Sequence, residues 1–256
     1  MTRLICCLSG KGGVGKTTLV SNLSAALADF GENTIAIDAN LTTPNLGLHT
    51  GLHLVQQTLH HVLKGQIPIN NALYPHPYGF AVIPASMNLN DLKGVDPSRL
   101  AEISFSLLGK ANFILLDGAA GLGKEALSAL AASDEVIVVT NPNYSAITDA
   151  IKIVKIAQNS NMKILGIVVN RVKGESYELS QQKIEEIMGV PVIAVVPEDE
   201  NISRSQAEKK LLFEYTPSSP AAIEIKKLAA RLTGKPYQPP IFNPGIWERL
   251  FIWLKS

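Results

Sequence analysis

The 256-residue sequence has little cysteine and no long hydrophobic run. Its two cysteines, Cys6 and Cys7, are adjacent, so they cannot form an ordinary structural disulfide, and we expect reduced residues of the core. No apolar run reaches the roughly 20 residues that a membrane-spanning helix needs. Nothing near the N-terminus has the pattern of a secretory leader. These absences predict a cytosolic protein.

An excess of charge of one sign is also absent. The sequence has 23 Lys and Arg residues against 22 Asp and Glu residues, a formal net charge of +1. Binding to nucleic acid or to a membrane would therefore have to come from a local patch. The hydrophobic content of 46% is sufficient for one full core and suits a sheet that is covered on both faces.

Apolar runs rich in β-branched residues alternate with longer amphipathic segments along most of the chain. The predicted strands are 4–8, 34–37, 80–83, 113–116, 135–140, 164–169 and 192–196. The predicted helices are 17–30, 91–108, 124–131, 147–159, 177–188 and 220–232. This alternation predicts an α/β fold with a single doubly wound, mostly parallel sheet flanked by helices. Ligands of such sheets bind outside the carboxyl ends of the strands.

Residues 10–18 read GKGGVGKTT, between the first predicted strand and the first predicted helix. The phosphate-binding pattern G-x-x-x-x-G-K-[ST] is met by Gly10, Gly15, Lys16 and Thr17. Glycines let backbone N–H groups turn inward around phosphate oxygens, and the N-terminus of a helix favours anions. We expect Lys16 to reach the β- and γ-phosphates and Thr17 to join Mg²⁺. The predicted loop residues are Gly10, Lys11, Gly12, Gly13, Val14, Gly15, Lys16, Thr17 and Thr18.

The strand at 113–116 leads directly to Asp117. Four apolar residues that end in an acid form the Walker B pattern, which predicts that Asp117 faces a hydrated Mg²⁺ ion. The glycines and alanines within residues 118–123 predict a backbone that moves when a γ-phosphate is present.

The loop with its second lysine, Lys11, resembles the variant Walker A loop of the MinD/ParA family of dimerising ATPases. The resemblance implies a P-loop NTPase fold, ATP and Mg²⁺ as cofactors, and hydrolysis of ATP to ADP and phosphate. It also implies that Lys11 acts in trans on the nucleotide of a partner, so the expected ATP-bound state is a homodimer. Lys11, Lys16 and Asn40 are the expected catalytic residues.

Residues 38–47 are similar to the first switch segment of the family. The resemblance implies that Asp38 contacts Mg²⁺ through water. The second acid of the family segment, which positions or activates the attacking water, is replaced here by Asn40. An amide can orient water but cannot accept its proton as a carboxylate does. We therefore expect hydrolysis to be slow or very slow. The alternative is that Asn40 is a harmless substitute.

Two later strand ends are predicted to border the base. Asn170 and Arg171 follow the strand at 164–169. Lys173 stands at the position where GTPases have the aspartate that recognises guanine, which argues against guanine here. The turn formed by Pro197, Glu198 and Asp199 resembles the family turn beside adenine. ATP is therefore the predicted nucleotide, with Asn170 as a simple turn residue the alternative.

The C-terminal residues predict a linker and an amphipathic helix. Residues 234–245 contain four prolines, which favour an extended segment. Residues 246–256 place most of their large apolar side chains on one broad face. A helix of this length spans about 16 Å, too short to cross a bilayer core of about 30 Å, but it can lie in the interface. The expected contacts with an anionic membrane are Trp247, Leu250, Phe251, Trp253 and Leu254. The alternative is docking on its own domain or in a protein groove.

The predicted organisation is an ATPase domain at 1–233, a linker at 234–245 and a membrane-targeting helix at 246–256. The sequence is identified as a MinD-like cell-positioning ATPase. The resemblance implies a spatial switch on the inner face of the membrane that positions division, motility or other cell-pole machinery, with a protein activator or cargo. The alternatives are an ATP-dependent membrane scaffold that hydrolyses ATP very slowly or not at all, and a ParA-like DNA partitioner. The near-neutral charge disfavours DNA.

Overall fold

A computed structural model of the protein describes residues 1–240 and has an eight-stranded sheet at its centre. The strands are β1 (Arg3–Ser9), β2 (Thr34–Ala39), β3 (Tyr74–Pro75), β4 (Ala81–Ile83), β5 (Phe113–Ala120), β6 (Glu135–Thr140), β7 (Lys163–Val172) and β8 (Val192–Pro197). Their order is β3-β4-β2-β5-β1-β6-β7-β8. Every neighbouring pair is parallel except β3 and β4.

Helices cover both faces of this sheet. They are α1 (Lys16–Asp29), α2 (Leu46–His49), α3 (Leu59–Leu63), α4 (Leu100–Phe105), α5 (Lys124–Ala131), α6 (Tyr144–Asn159), α7 (Gln181–Met188), α8 (Glu200–Ala207), α9 (Leu212–Tyr215) and α10 (Pro220–Thr233). Cys6 and Ile153 belong to the apolar cluster on one face, and Cys7, Leu23 and Ile225 to the cluster on the other. The predicted doubly wound α/β fold is confirmed, and both cysteines are buried.

The predicted helix at 91–108 is wrong. Short 3-10 turns at Leu89–Leu92 and Pro97–Arg99 lie on either side of an irregular segment, and only Leu100–Phe105 is α-helical. Gly94 has φ +78°, a left-handed conformation that ends a helix, and Pro97 cannot donate a backbone hydrogen bond. The helix predicted at 177–188 begins only at Gln181, because the Ser180 hydroxyl caps it by accepting a hydrogen bond from the Lys183 amide at 3.2 Å.

The last described helix, α10, ends at Thr233 and is capped by Gly234, which has a left-handed conformation with φ +68°. The following residues pack back onto the domain. The Lys235 ammonium lies 2.6 Å from the Glu32 carboxylate, and the Tyr237 ring meets the Phe30 ring edge-on at 6.2 Å. None of the helices found in residues 1–240 has the combination of length and hydrophobicity that a membrane-spanning helix needs. The predicted helix at 246–256 lies outside the described residues, so the division into three segments stays a prediction.

Candidate functional site

The loop between β1 and α1 requires glycine at two close contacts. Gly15 has φ +97°, and a Cβ atom there would lie 2.1 Å from the Asn170 amide nitrogen. A Cβ atom on Gly10 would lie 2.2 Å from the backbone carbon of Asp149 in α6. Asn170 donates a hydrogen bond from Nδ2 to the Val14 carbonyl at 2.7 Å. The loop is therefore held from behind by β7 and α6, and its shape is fixed by the fold.

The two lysines of this loop have different surroundings. Lys16 is 8% exposed and donates a hydrogen bond from Nζ to the Ser9 hydroxyl at 2.9 Å, and Ser9 in turn donates to the Lys11 carbonyl at 2.8 Å. Burial lowers the pKa of Lys16, and the nearby charge of Asp117 opposes that shift. The Lys11 side chain is exposed and makes no ion pair with any residue in 1–240. Among the described residues, Lys11 is therefore not held by an ion pair, in contrast to the buried Lys16.

Asp38 and Asp117 stand side by side at the carboxyl ends of β2 and β5, where they are register partners. Both are buried. Asp38 accepts hydrogen bonds from the backbone amides of Asn45 at 3.1 Å and Leu46 at 2.9 Å. Neither carboxylate oxygen of Asp117 has a hydrogen-bond partner of normal geometry among the described residues. A buried acid without partners needs an explanation, and a bound cation would supply one.

The pKa directions of the two acids agree with this explanation. Burial raises the pKa of Asp117 to about 6, and the nearby Thr17 hydroxyl and Lys16 charge offset only part of that shift. Burial and the charge of Asp117 raise the pKa of Asp38 well above its ordinary range. Two carboxylates and a hydroxyl are hard oxygen donors that suit Mg²⁺. No group of three His, Cys, Asp or Glu residues within 1–240 could hold a metal by itself, so the ion would also need water or phosphate oxygens.

Asn40 lies in the loop after β2 and faces the same space. Its Nδ2 donates to the Thr43 carbonyl at 2.6 Å, and the Thr43 hydroxyl donates to its Oδ1 at 3.1 Å. Both ends of the amide are thus oriented by a single neighbour. Nothing in this arrangement provides the proton acceptor that an aspartate would bring.

These elements enclose a cavity of about 290 Å³. It contains most of the predicted phosphate-binding residues together with Asn40 and Arg171, and its lining is Gly12, Gly13, Gly15, Lys16, Thr17, Thr18, Asn40, Thr43, Asn45, His49, Ala120, Arg171 and Gln206. Gln206 of α8 was not predicted from the sequence. Its amide donates to the Thr18 hydroxyl at 2.9 Å, a contact between residues 188 positions apart that no local pattern could indicate.

The residues predicted to border the base have two different surroundings. Arg171 has φ +60° and lines both the first cavity and a neighbouring one of about 270 Å³, which Glu198 also lines. Asn170 lies within β7, which continues to Val172, and its side chain is committed to the loop. Pro197 is the last residue of β8, and Asp199 caps α8 by accepting from the Asn201 amide at 2.9 Å. Arg171 and Glu198 therefore face open space, whereas Asn170 and Asp199 support the framework.

The site occurs in a chain with extensive similarity to known nucleotide-binding proteins. Residues 5–213 match the model of the CobQ/CobB/MinD/ParA nucleotide binding domain. The chain belongs to this family. An uncharacterized ATP-binding protein of Methanocaldococcus jannaschii, similar to the chain along most of its length, is 42% identical over 238 residues, 93% of this chain and 90% of that protein.

Solved structures of MinD agree with this membership of the CobQ/CobB/MinD/ParA family. The septum site-determining protein MinD of Pyrococcus horikoshii, complexed with Mg-ADP, superposes with a TM-score of 0.88 at 37% identity, covering 91% of this chain and 96% of that one. A chain of the MinC:MinD cell division complex of Aquifex aeolicus superposes with a TM-score of 0.83 at 28% identity, covering 93% and 98%. The predicted resemblance is confirmed. The predicted cofactors, ATP and Mg²⁺, are also confirmed, since the Pyrococcus protein is complexed with Mg-ADP, the same metal with the diphosphate form of the nucleotide.

Proposed function

We propose that the protein is a MinD-like ATPase that forms a homodimer with ATP and acts as a spatial switch on a membrane. The observation that carries this proposal is the contrast between the two lysines of one phosphate-binding loop. Lys16 is buried toward Ser9 and Asp117, whereas Lys11 is exposed. A second cation beside one phosphate site is unfavourable unless more negative charge arrives.

Within one subunit, the residues of the loop would bind the nucleotide. The backbone N–H groups of residues 12–17 would hold the phosphates at the N-terminus of α1, with Lys16 against the β- and γ-phosphates. Thr17, Asp117 and, through water, Asp38 would hold Mg²⁺. When bound, Mg²⁺ neutralises charge on the phosphate oxygens.

Asn40 would orient the attacking water by its amide. Phosphoryl transfer depends mainly on positioning and electrostatic stabilisation, so an amide is compatible with slow turnover. The same residue supports the second candidate function, an ATP-dependent scaffold that assembles without measurable hydrolysis.

The membrane part of the proposal depends on the sequence at 246–256. One short amphipathic helix binds an interface weakly and reversibly. Two such helices on one dimer bind much more tightly, because the second binds at a high effective concentration. ATP would then control residence on the membrane by controlling dimerisation. We also propose that a protein partner recognises and binds the ATP-bound dimer. The complex of the Aquifex MinD with MinC supports this part of the proposal.

The dimer is tested by measuring molar mass in solution with ATP or ADP. The wild type is expected to double its mass with ATP and Mg²⁺ only. Lys11→Ala is expected to bind ATP with unchanged affinity but to remain monomeric, because the removed charge is needed by the partner. Lys155→Ala, an exposed lysine on α6, is the matched control and should dimerise normally. An ATP dimer of normal stability in Lys11→Ala would contradict the proposal.

A further inference from the structure

The loop that carries Asn40 is tied to α5 by a glutamate that no motif of the sequence identifies. Glu125 stands in the first turn of α5 and is half-buried. One of its carboxylate oxygens accepts a hydrogen bond from the Thr42 amide at 3.2 Å, and the other accepts from the Thr42 hydroxyl. A single carboxylate therefore holds both donors of one residue, which fixes the position and the orientation of Thr42.

A second hydrogen bond anchors Leu41, the residue between Asn40 and Thr42. The buried side chain of His60 in α3 accepts a hydrogen bond at Nδ1 from the Ser86 amide at 2.9 Å. A backbone amide can only donate, so the proton of the neutral ring is on Nε2. That nitrogen donates to the Leu41 carbonyl at 3.2 Å. Leu41 and Thr42 are thus anchored to two different helices.

We infer that Glu125 is a positioning residue for Asn40, acting through Thr42. This inference rests on the proposed ATPase function, because it assigns the group that keeps the water-orienting amide in place. Asn40 is two residues from the clamped Thr42, and its own amide contacts lie inside the same short loop, on Thr43. Without Glu125, the loop keeps the His60 contact and the hydrogen bonds to Asp38 but loses its link to α5.

The position of Glu125 also connects the two segments that border the phosphates. Ala120, at the end of β5, lines the main cavity, and Glu125 follows it after five residues. A further cavity of about 450 Å³ is lined by Asn40, Ala120 and Glu125. A shift of the segment after β5 would therefore reach Asn40 through the Glu125 carboxylate. Small errors in the position of a catalytic group reduce the rate strongly, which makes turnover the sensitive measurement.

The test is a double-mutant cycle on ATP hydrolysis by the full-length protein with anionic vesicles present. Glu125→Ala is expected to lower kcat about fivefold, with KM for ATP within about twofold and an unchanged Tm. In the Asn40→Ala background, the same change should have no further effect, because the group that it positions is already gone. Glu186→Ala, an exposed glutamate on α7, is the matched control and should not change kcat. An unchanged kcat in Glu125→Ala, or the same fold loss in both backgrounds, would overturn the inference.

A second measurement tests the contact between Glu125 and Thr42, here called the clamp, without depending on ATP turnover. Amide hydrogen exchange of a peptide covering residues 40–46 should be several-fold faster in nucleotide-free Glu125→Ala than in the wild type or in Glu186→Ala. Unchanged exchange would overturn the clamp even in an active enzyme. Absence of hydrolysis in the wild type, together with faster exchange in Glu125→Ala, would instead contradict the proposed turnover and leave the clamp supported.

Discussion

Adding one methyl group at Gly15 tests whether Asn170 holds the phosphate-binding loop. The new Cβ atom would lie 2.1 Å from the Asn170 amide nitrogen, so the hydrogen bond from Asn170 to the Val14 carbonyl cannot survive unchanged. Left-handed backbone costs a residue with a Cβ atom about 1–2 kcal/mol. A buried donor that loses its partner costs about 1–3 kcal/mol more. The sum is about 2–5 kcal/mol for Gly15→Ala.

Two other glycines of the loop separate these contributions. Gly13 has φ +79° and open space around its Cβ position, so Gly13→Ala has only the backbone cost of about 1–2 kcal/mol. Gly12 has neither a positive φ nor a close neighbour, so Gly12→Ala should change the stability by less than about 0.5 kcal/mol.

Thermal unfolding of the nucleotide-free proteins checks this order. A domain of this size loses roughly 2–4 °C in Tm per kcal/mol. We expect a decrease of roughly 4–20 °C for Gly15→Ala, a smaller decrease for Gly13→Ala and almost none for Gly12→Ala. If Gly15→Ala and Gly13→Ala unfolded at the same temperature, Asn170 would not be what holds the loop.

Two further predictions concern the acid pair and the amide beside the phosphates. Burial raises the pKa of Asp117 in the folded, metal-free protein to about 6, so the folded protein keeps this proton to a higher pH than the unfolded chain does. The stability of the metal-free protein therefore falls as the pH rises from about 4 to 6. The variant Asp117→Asn lacks this titration. In urea unfolding with a chelator present, the free energy of unfolding of Asp117→Asn minus that of the wild type should therefore increase from about pH 4 to 6. Parallel pH curves for the two proteins would contradict a raised pKa of Asp117. Asn40→Asp restores a proton acceptor and should raise the rate of phosphate release about tenfold or more at similar ATP affinity. An unchanged rate in a phosphate-release assay would show that the proton acceptor is not what limits turnover.

The sequence predicted the central elements of the site because their chemistry demands particular residue types at fixed spacing. The glycines before Lys16 and the acid that ends an apolar run are local patterns, and each is attached to a strand whose hydrophobic run is easily identified. Parallel topology then brings the strand ends together. The structure accordingly places Asp38 beside Asp117, about 80 residues apart in the chain, at one end of the sheet.

The elements that the sequence did not predict have no local apolar signal or depend on distant contacts. Helix α8 buries only Ser205, so it shows no helical periodicity, and the acid that caps it, Asp199, was predicted instead to lie beside adenine. The irregular segment at Gly94 interrupts a spacing that looked helical. Glu125 contacts Thr42 across 83 positions of the chain, and only the folded structure brings them together.

Vesicle co-sedimentation tests the central claim most directly. The full-length protein and a variant that lacks residues 246–256 are mixed with anionic vesicles and either ATP or ADP, and phosphate release is read in the same tubes. We predict that the full-length protein sediments with ATP and stays in solution with ADP, with slow phosphate release. The shortened protein should bind ATP and stay in solution with either nucleotide. Equal sedimentation with ATP and ADP, or sedimentation of the shortened protein, would contradict an ATP-controlled membrane switch that binds through its C-terminal residues.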